Sequence, residues 1–219
     1  RFGLTWDQVV IKRVFDLLAS LFMLIVASPF MIIVAILVKL EDPKASVIYK
    51  QERIGKNQKP FTIYKFRSMI DGAEKSTGPT LATENDARIT KIGKLIRSTR
   101  LDELPQLFNV IKGDMSLVGP RPEREFFTKQ LQKQFYHYGH RNTVQPGLTG
   151  YAQIMGKYST EVDDKLRFDL YYIRNYSFWL DILILLKTIV VVFDKTKSEG
   201  TETKRDKKIS VEKQNHIPM

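Results

Sequence analysis

Residues 17–38, LLASLFMLIVASPFMIIVAILV, run for 22 positions without a charge. As a helix this stretch is long enough to cross about 30 Å of hydrocarbon. It is too long for the apolar core of a signal peptide, lies too far inside the chain, and lacks a small-residue cleavage site at its end. Two features argue against a simple crossing. Ser28-Pro29 stands in the middle, where proline removes a backbone donor and bends a helix, and the Ser28 hydroxyl is placed to satisfy a freed backbone group. Both flanks are basic, with Lys12 and Arg13 before and Lys39, Lys44, Lys50 and Arg53 after. Basic flanks favour the cytoplasm, so the stretch is expected to enter, break and return on one face as a re-entrant helix-break-helix. The alternatives are a true span and the buried helix of a soluble protein.

The net charge of the 219-residue chain is +11. The tail from Asp194 holds seven basic and five acidic residues, so the body keeps +9. Such a body suits anionic partners: phosphates, acidic lipid or nucleic acid. With no cysteine there is no thiolate nucleophile, disulfide or zinc knuckle, and the three histidines form no metal-ligand pattern. Gly93-Lys94 runs into Leu95, so no phosphate-binding P-loop is present. Carboxylates are left as the natural chemical groups.

SVIYKQE (46–52) and FTIYKFRSM (61–69) read as a small hairpin, with Lys65 and Arg67 on one face of its second strand. Those two cations suit a phosphate cradle or, equally, a charged edge. Residues 69–88 read as loop, and Ile89 to Ile96 show helical spacing up to about Arg97. In STRLDELPQLFNV the adjacent acids Asp102 and Glu103 follow Arg97 and Arg100. Asp102 suits an N-cap, and Leu104, Leu107, Phe108 and Ile111 suit one apolar helix face ending at Gly113. Capping and opposition to the helix dipole are the structural explanation for such a pair. The neighbours shift the balance: in GDMSLVGPRPERE, Pro120 and Pro122 fix the backbone around Arg121, which aims a guanidinium at a phosphate. Residues 123–138 form an amphipathic helix, 141–156 a turn-rich loop carrying Arg141, and 162–175 a further helix. SFWLDILILLKTIVVVF (177–193) is a helix for the core or the membrane interface, with the interface preferred. The tail is charged and poor in aromatics, which predicts disorder.

The segments IKRVFDLLAS…SP, YKFRSM, RLDELPQLFNVIKGDMSLVGPRPE, PGLTGYAQ and DLYYIRNYSFWLD together resemble the bacterial sugar transferases. These are the monotopic phosphoglycosyl transferases, also called polyprenyl-phosphate hexose-1-phosphate transferases. The resemblance runs from about residue 10 to 193. It implies an α+β, mainly helical, monotopic membrane protein with an N-terminal re-entrant helix, a small β-hairpin and interfacial amphipathic helices. The expected division is a membrane-embedded segment 1–40, a catalytic domain 41–193 and a tail 194–219. The implied reaction transfers sugar-1-phosphate from a UDP-sugar to undecaprenyl phosphate, releases UMP and starts capsule, exopolysaccharide or O-antigen assembly. The resemblance makes Asp102 the nucleophile of a covalent phospho-sugar intermediate and implies Mg²⁺ held by Asp102 and Glu103. Glu103 is open to two roles, metal binding or taking a proton from the lipid phosphate. Lys65, Arg67, Arg97, Pro120, Arg121, Pro122 and Arg141 are the expected substrate-binding residues. Expected partners are a UDP-sugar, undecaprenyl phosphate and membrane lipid, with a homodimer possible and no nucleic acid. The expected location is the bacterial inner membrane, with the catalytic domain facing the cytoplasm. Gln145 stands where the family often has arginine, and Tyr151 where tryptophan is common. LTWDQVVIKR resembles the junction in longer members that carry upstream transmembrane helices, so the chain is expected to be part of a larger protein. The competing reading is a non-catalytic basic module that binds anionic lipid or nucleotide at the membrane surface.

Overall fold

The computed structural model describes residues 3–74, 86–156 and 160–193. The expected disordered tail and most of the expected 69–88 loop lie outside the described residues. The first element, α1 (Trp6–Glu41), is 36 residues long. Its start is fixed by the Thr5 amide, which donates to Gln8 Oε1 at 2.9 Å. The expected break at Ser28-Pro29 is not a gap, because helical structure runs unbroken through Pro29. The interruption is a missing hydrogen bond. Pro29 cannot donate to Ile25, and the Ser28 hydroxyl donates to that carbonyl instead at 2.8 Å.

One stripe of α1 (Lys12, Asp16, Ser20, Val34 and Val38) is buried, while Phe22, Ile25, Phe30 and Ile33 stand exposed. The buried stripe is tied to the rest of the chain at both ends. Near the start, Asp16 Oδ1 accepts from the Leu117 amide at 3.1 Å. Arg13 donates to the carbonyls of Val110 and Ile111 at 2.6 and 2.7 Å, near the end of a later helix. Lys12 meets Asp181 at 2.5 Å. Near the finish, Arg67 donates to Val38 O at 2.9 Å, and Glu41 Oε1 accepts from the Ile92 amide at 3.0 Å.

The expected hairpin is present as β1 (Ile48–Ile54) and β2 (Pro60–Phe66), antiparallel with Gln51 opposite Ile63. α2 (Lys91–Ser98) follows, capped by Thr90 Oγ1, which accepts from the Gly93 amide at 2.9 Å. Asp102 is not the N-cap that the sequence suggests. It lies in a 3₁₀ turn, Leu101–Glu103, and α3 (Gln106–Lys112) begins after Pro105. The buried side of α3 is also displaced from the expected face. Leu107 and Val110 are fully buried with Asn109, whereas Phe108 is 48% exposed. The reason is polar: the Asn109 side chain accepts from the Tyr64 amide at 3.1 Å and donates to Thr62 O at 2.7 Å, so it faces β2 and turns Phe108 outward. Gly113 ends α3 at φ 95°, a conformation that favours glycine.

β3 (Ser116–Val118) pairs in parallel with β4 (Gly147–Thr149). The second of these strands, and α5 (Tyr151–Met155) after it, lie in the segment expected to be loop. The glycines explain the contact. A Cβ at Gly147 or Gly150 would collide with the backbone of Gly119, so the two segments meet main chain to main chain. The expected helices at 123–138 and 162–175 appear as α4 (Glu125–Gln134) and α6 (Val162–Arg174). The segment 177–193 forms α7 (Phe178–Phe193), with one side in the core. Asp181 and Ile184 are buried, while Trp179, Leu186, Ile189 and Val190 are exposed. Leu107, Val110, Leu117, Val118, Tyr172 and Ile184 form the main apolar core. A second cluster joins Val34 and Val38 to Phe66 and Ile96. Each fully buried aliphatic side chain contributes about 1.5–3 kcal/mol.

Candidate active site

After α2 the chain reverses at Arg100, whose φ of 55° is left-handed. Few non-glycine residues adopt this conformation, and such positions concentrate at working sites. The reversal places the following 3₁₀ turn against β2, and Asp102, 7% exposed, ends on the wall of a cavity of about 1700 Å³.

Glu103 sits between two cations. Lys65 of β2 and Arg121 of the loop after β3 both bond to its Oε1, at 2.9 and 2.7 Å. Burial alone would raise the Glu103 carboxyl, but Arg121 and Lys65 outweigh it and hold the group well below the ordinary carboxylate range. Asn109 makes this possible, because its two bonds to β2 fix the strand that carries Lys65 against α3.

The Pro120-Arg121-Pro122 turn is held at three successive carbonyls. Pro120 O accepts from the Gly147 amide at 2.9 Å. Arg121 O accepts from Arg141 at 3.0 Å, and Pro122 O from Arg53 at 3.0 Å. The prolines fix φ from within while neighbours pin the acceptors from outside. Pro120 and Pro122 therefore act through the backbone and are not part of the cavity wall.

Arg141 lines the cavity and is also bonded within the fold. Its guanidinium donates to Asp169 Oδ2 through Nε and Nη2 at 3.0 and 2.7 Å, and to the Tyr138 hydroxyl at 2.7 Å. Burial opposes its charge, but Asp169, Tyr138 and Glu123 more than restore it, so Arg141 is held protonated. Burial also pushes the Tyr138 hydroxyl up to about 12, keeping it a hydrogen-bonded neutral phenol. Arg67 likewise bonds to the C-terminal end of α1, through Val38 O at 2.9 Å and Asp42 Oδ2 at 3.4 Å. It does not form a two-cation cradle with Lys65, whose bond is to Glu103.

Seven of the nine expected residues nevertheless line the one cavity: Lys65, Arg67, Arg97, Asp102, Glu103, Arg121 and Arg141. Arg100 joins them from the left-handed turn. Two carboxylates inside a cationic rim can receive a diphosphate, because the cations offset charge that the carboxylates alone would repel. Among the described residues no three His, Asp or Glu side chains are grouped to hold a metal. Asp102 and Glu103 still fit a Mg²⁺ ion, which is commonly bound by one or two carboxylates together with substrate phosphates and water.

Sequence reasoning missed Asn109, Asp169, Tyr138 and Arg53 as supports of the site. It also missed Gln153 on α5, whose carboxamide oxygen and nitrogen are shielded from solvent without a partner while the residue lines the cavity. Gln145, at a position expected to carry arginine, donates to Gly113 O at 2.8 Å. Tyr151 stacks on Tyr171 with ring centroids 5.1 Å apart.

Residues 7–195 match the family described as bacterial sugar transferase. The chain is 47% identical over 182 residues to a UDP-N-acetylgalactosamine-undecaprenyl-phosphate N-acetylgalactosaminephosphotransferase from Aeromonas hydrophila, covering 82% of this chain and 43% of that one. It is 42% identical over 187 residues to a UDP-glucose:undecaprenyl-phosphate glucose-1-phosphate transferase from Klebsiella pneumoniae, covering 83% and 40%. A third relative, the exopolysaccharide production protein PSS of Rhizobium leguminosarum bv. phaseoli, is 42% identical over 194 residues, covering 84% and 95%. The chain thus spans about two fifths of the length of the first two relatives and nearly all of the third.

Proposed function

Because the chain belongs to the bacterial sugar transferase family, we propose that it is a transferase that moves sugar-1-phosphate from a UDP-sugar to undecaprenyl phosphate. The observation that carries this reading is the placement of Asp102 and Glu103 on one cavity wall with Lys65, Arg97, Arg100 and Arg121.

In the first step an Asp102 carboxylate oxygen attacks the phosphorus that bears the sugar. A bond forms between that oxygen and phosphorus, the bond to the bridging oxygen breaks, and UMP leaves with the bridging oxygen. In the second step an oxygen of undecaprenyl phosphate attacks the same phosphorus and Asp102 departs as a carboxylate. Two steps let a water-soluble donor and a membrane lipid use one site in turn. Arg121 and Lys65, both anchored on Glu103, would steady the phosphate charge, and Arg97 and Arg100 supply further positive potential from the end of α2. Mg²⁺ held by Asp102 or Glu103 would supply Lewis-acid neutralisation of phosphate oxygens. Glu103, held so far into its ionised form, is a poor proton acceptor, which favours an anchoring or metal-binding role over general base. Gln153 offers one donor and one acceptor to a sugar hydroxyl.

The membrane arrangement belongs to the same proposal. Both ends of α1 bind one body, so its exposed middle, from Phe22 to Ile33, would dip into the bilayer and return. The cationic cavity would then lie at the cytoplasmic surface of the bacterial inner membrane, where nucleotide and lipid substrates both arrive.

The test is UMP release by the full chain in vesicles containing undecaprenyl phosphate, with UDP-glucose, UDP-galactose and UDP-N-acetylgalactosamine in turn. At least one donor should give acceptor-dependent UMP, and Asp102→Asn should lower the rate on the order of 10³-fold or more. Full activity of Asp102→Asn, or nucleotide binding without UMP release from any donor, would refute the reading.

A further inference from the structure

Met23 of α1 and Ile189 of α7 are each exposed, at 37% and 59%, yet each also forms part of the catalytic cavity's wall. The two helices meet near their starts, through Lys12–Asp181 and through Phe15 and Phe178, whose ring centroids lie 5.2 Å apart. Beyond that meeting point each turns an apolar pair to the cavity at one-turn spacing: Ala19 and Met23 on α1, Leu185 and Ile189 on α7. Leu117 and Leu148 add to the same wall. Thr149 and Thr188 also line it, but their hydroxyls are 2.8 Å from each other and Thr188 donates to Ile184 O at 2.7 Å, so their hydrogen bonding is met internally.

The cavity therefore has two chemistries. One end is a rim of cations around two carboxylates. The other is an apolar arm that reaches the surface beside Phe22, Ile25, Leu186 and Val190, all exposed. A nucleotide or sugar would lose hydration in such an arm with nothing in return. An amphiphile with a phosphate at one end and hydrocarbon at the other fits both ends at once, and the apolar rim is where it would enter from a bilayer.

We propose that the arm walled by Ala19, Met23, Leu148, Leu185 and Ile189 holds the phosphate-proximal isoprene units of a membrane-resident prenyl phosphate. The head of that lipid then lies at the cationic end, against Asp102. This inference rests on the transferase reading and adds the path by which the acceptor reaches the site. The lipid does not have to leave hydrocarbon before its phosphate meets the enzyme.

Two measurements on the full chain in vesicles test it. A farnesyl phosphate carrying a diazirine on its first isoprene unit is photolysed on the protein, and the labelled peptides are mapped. Labels should fall at Ala19, Met23, Leu185 and Ile189 and be competed by undecaprenyl phosphate but not by phosphatidylglycerol. Labels confined to outward residues such as Phe22, Ile25 and Val190, or equal competition by phosphatidylglycerol, would overturn the proposal. In the second, Ala19→Phe with Ile189→Trp narrows the arm while keeping it apolar. The KM for undecaprenyl phosphate should rise tenfold or more, with the UDP-sugar KM and the UMP burst from donor alone unchanged. An unchanged acceptor KM, or parallel losses in both substrates, sinks the arm while leaving the transferase reading intact. A wild-type protein that releases no UMP from any donor sinks that reading itself.

Discussion

Glu103 holds two cations on one oxygen, and this single arrangement sets the electrostatics of the site. Its carboxyl lies well below the ordinary value of 4.5 because Arg121 and Lys65 overcome the cost of its burial. A carboxyl with a lowered folded pKa stabilises the fold above its unfolded pKa, and that contribution disappears as pH falls through the folded value. Between about pH 5 and pH 3 the wild type should therefore lose up to about 1.4 kcal/mol per pH unit that Glu103→Gln does not lose. Urea unfolding at several pH values checks this, and parallel pH profiles would contradict it. Arg141 is likewise paired with a buried carboxylate, Asp169. Arg141→Ala leaves Asp169 buried without its cation, so about 3–5 kcal/mol of stability should be lost. The double change Arg141→Leu with Asp169→Leu should cost less than the single one, measured by the same unfolding. The sequence pointed to Asp102, Glu103, Lys65 and Arg121 because adjacent acids, strand alternation and a proline-framed arginine are local patterns. It did not reveal what else holds Arg141 and Arg67, because their partners, Asp169 and Val38, are 28 and 29 residues away. Such pairings exist only in the folded chain.

At the scale of elements, periodicity located the hairpin and most helices, since burial of one face is written in the spacing. It missed the face of α3, where Asn109 bonds to β2 and so overrides the apolar pattern that had favoured Phe108. The parallel pair β3–β4 was also illegible, because three-residue strands carry too little alternation to register. What joins them is the close approach of Gly119 to Gly147 and Gly150. For α1, length, the internal proline and the basic flanks were all visible, whereas the attachment of both ends to one body was not. That attachment leads to a direct expectation. The chain has no cysteine, so Trp6→Cys and Leu40→Cys each give a single thiol at an exposed position, 81% and 71% for the native side chains. An impermeant maleimide should label both from the same side of sealed vesicles. Labelling from opposite sides would show that α1 crosses.

Over the whole molecule, charge and apolar surface are organised around one cavity. Lys65, Arg67, Arg97, Arg100 and Arg121 line its polar end, and the apolar residues that α1 and α7 leave exposed continue into its other end. This arrangement suits a protein that takes a nucleotide sugar from water and a phosphate from a membrane in succession. The claim on which this depends is that Asp102 carries the sugar phosphate between the two. Intact-protein mass spectrometry of the full chain, quenched rapidly after mixing with its donor and no acceptor, measures it most directly. The account predicts a species heavier by one sugar phosphate, lost on adding undecaprenyl phosphate and never formed by Asp102→Asn. A donor turned over at the normal rate with no heavier species at any quench time would contradict it.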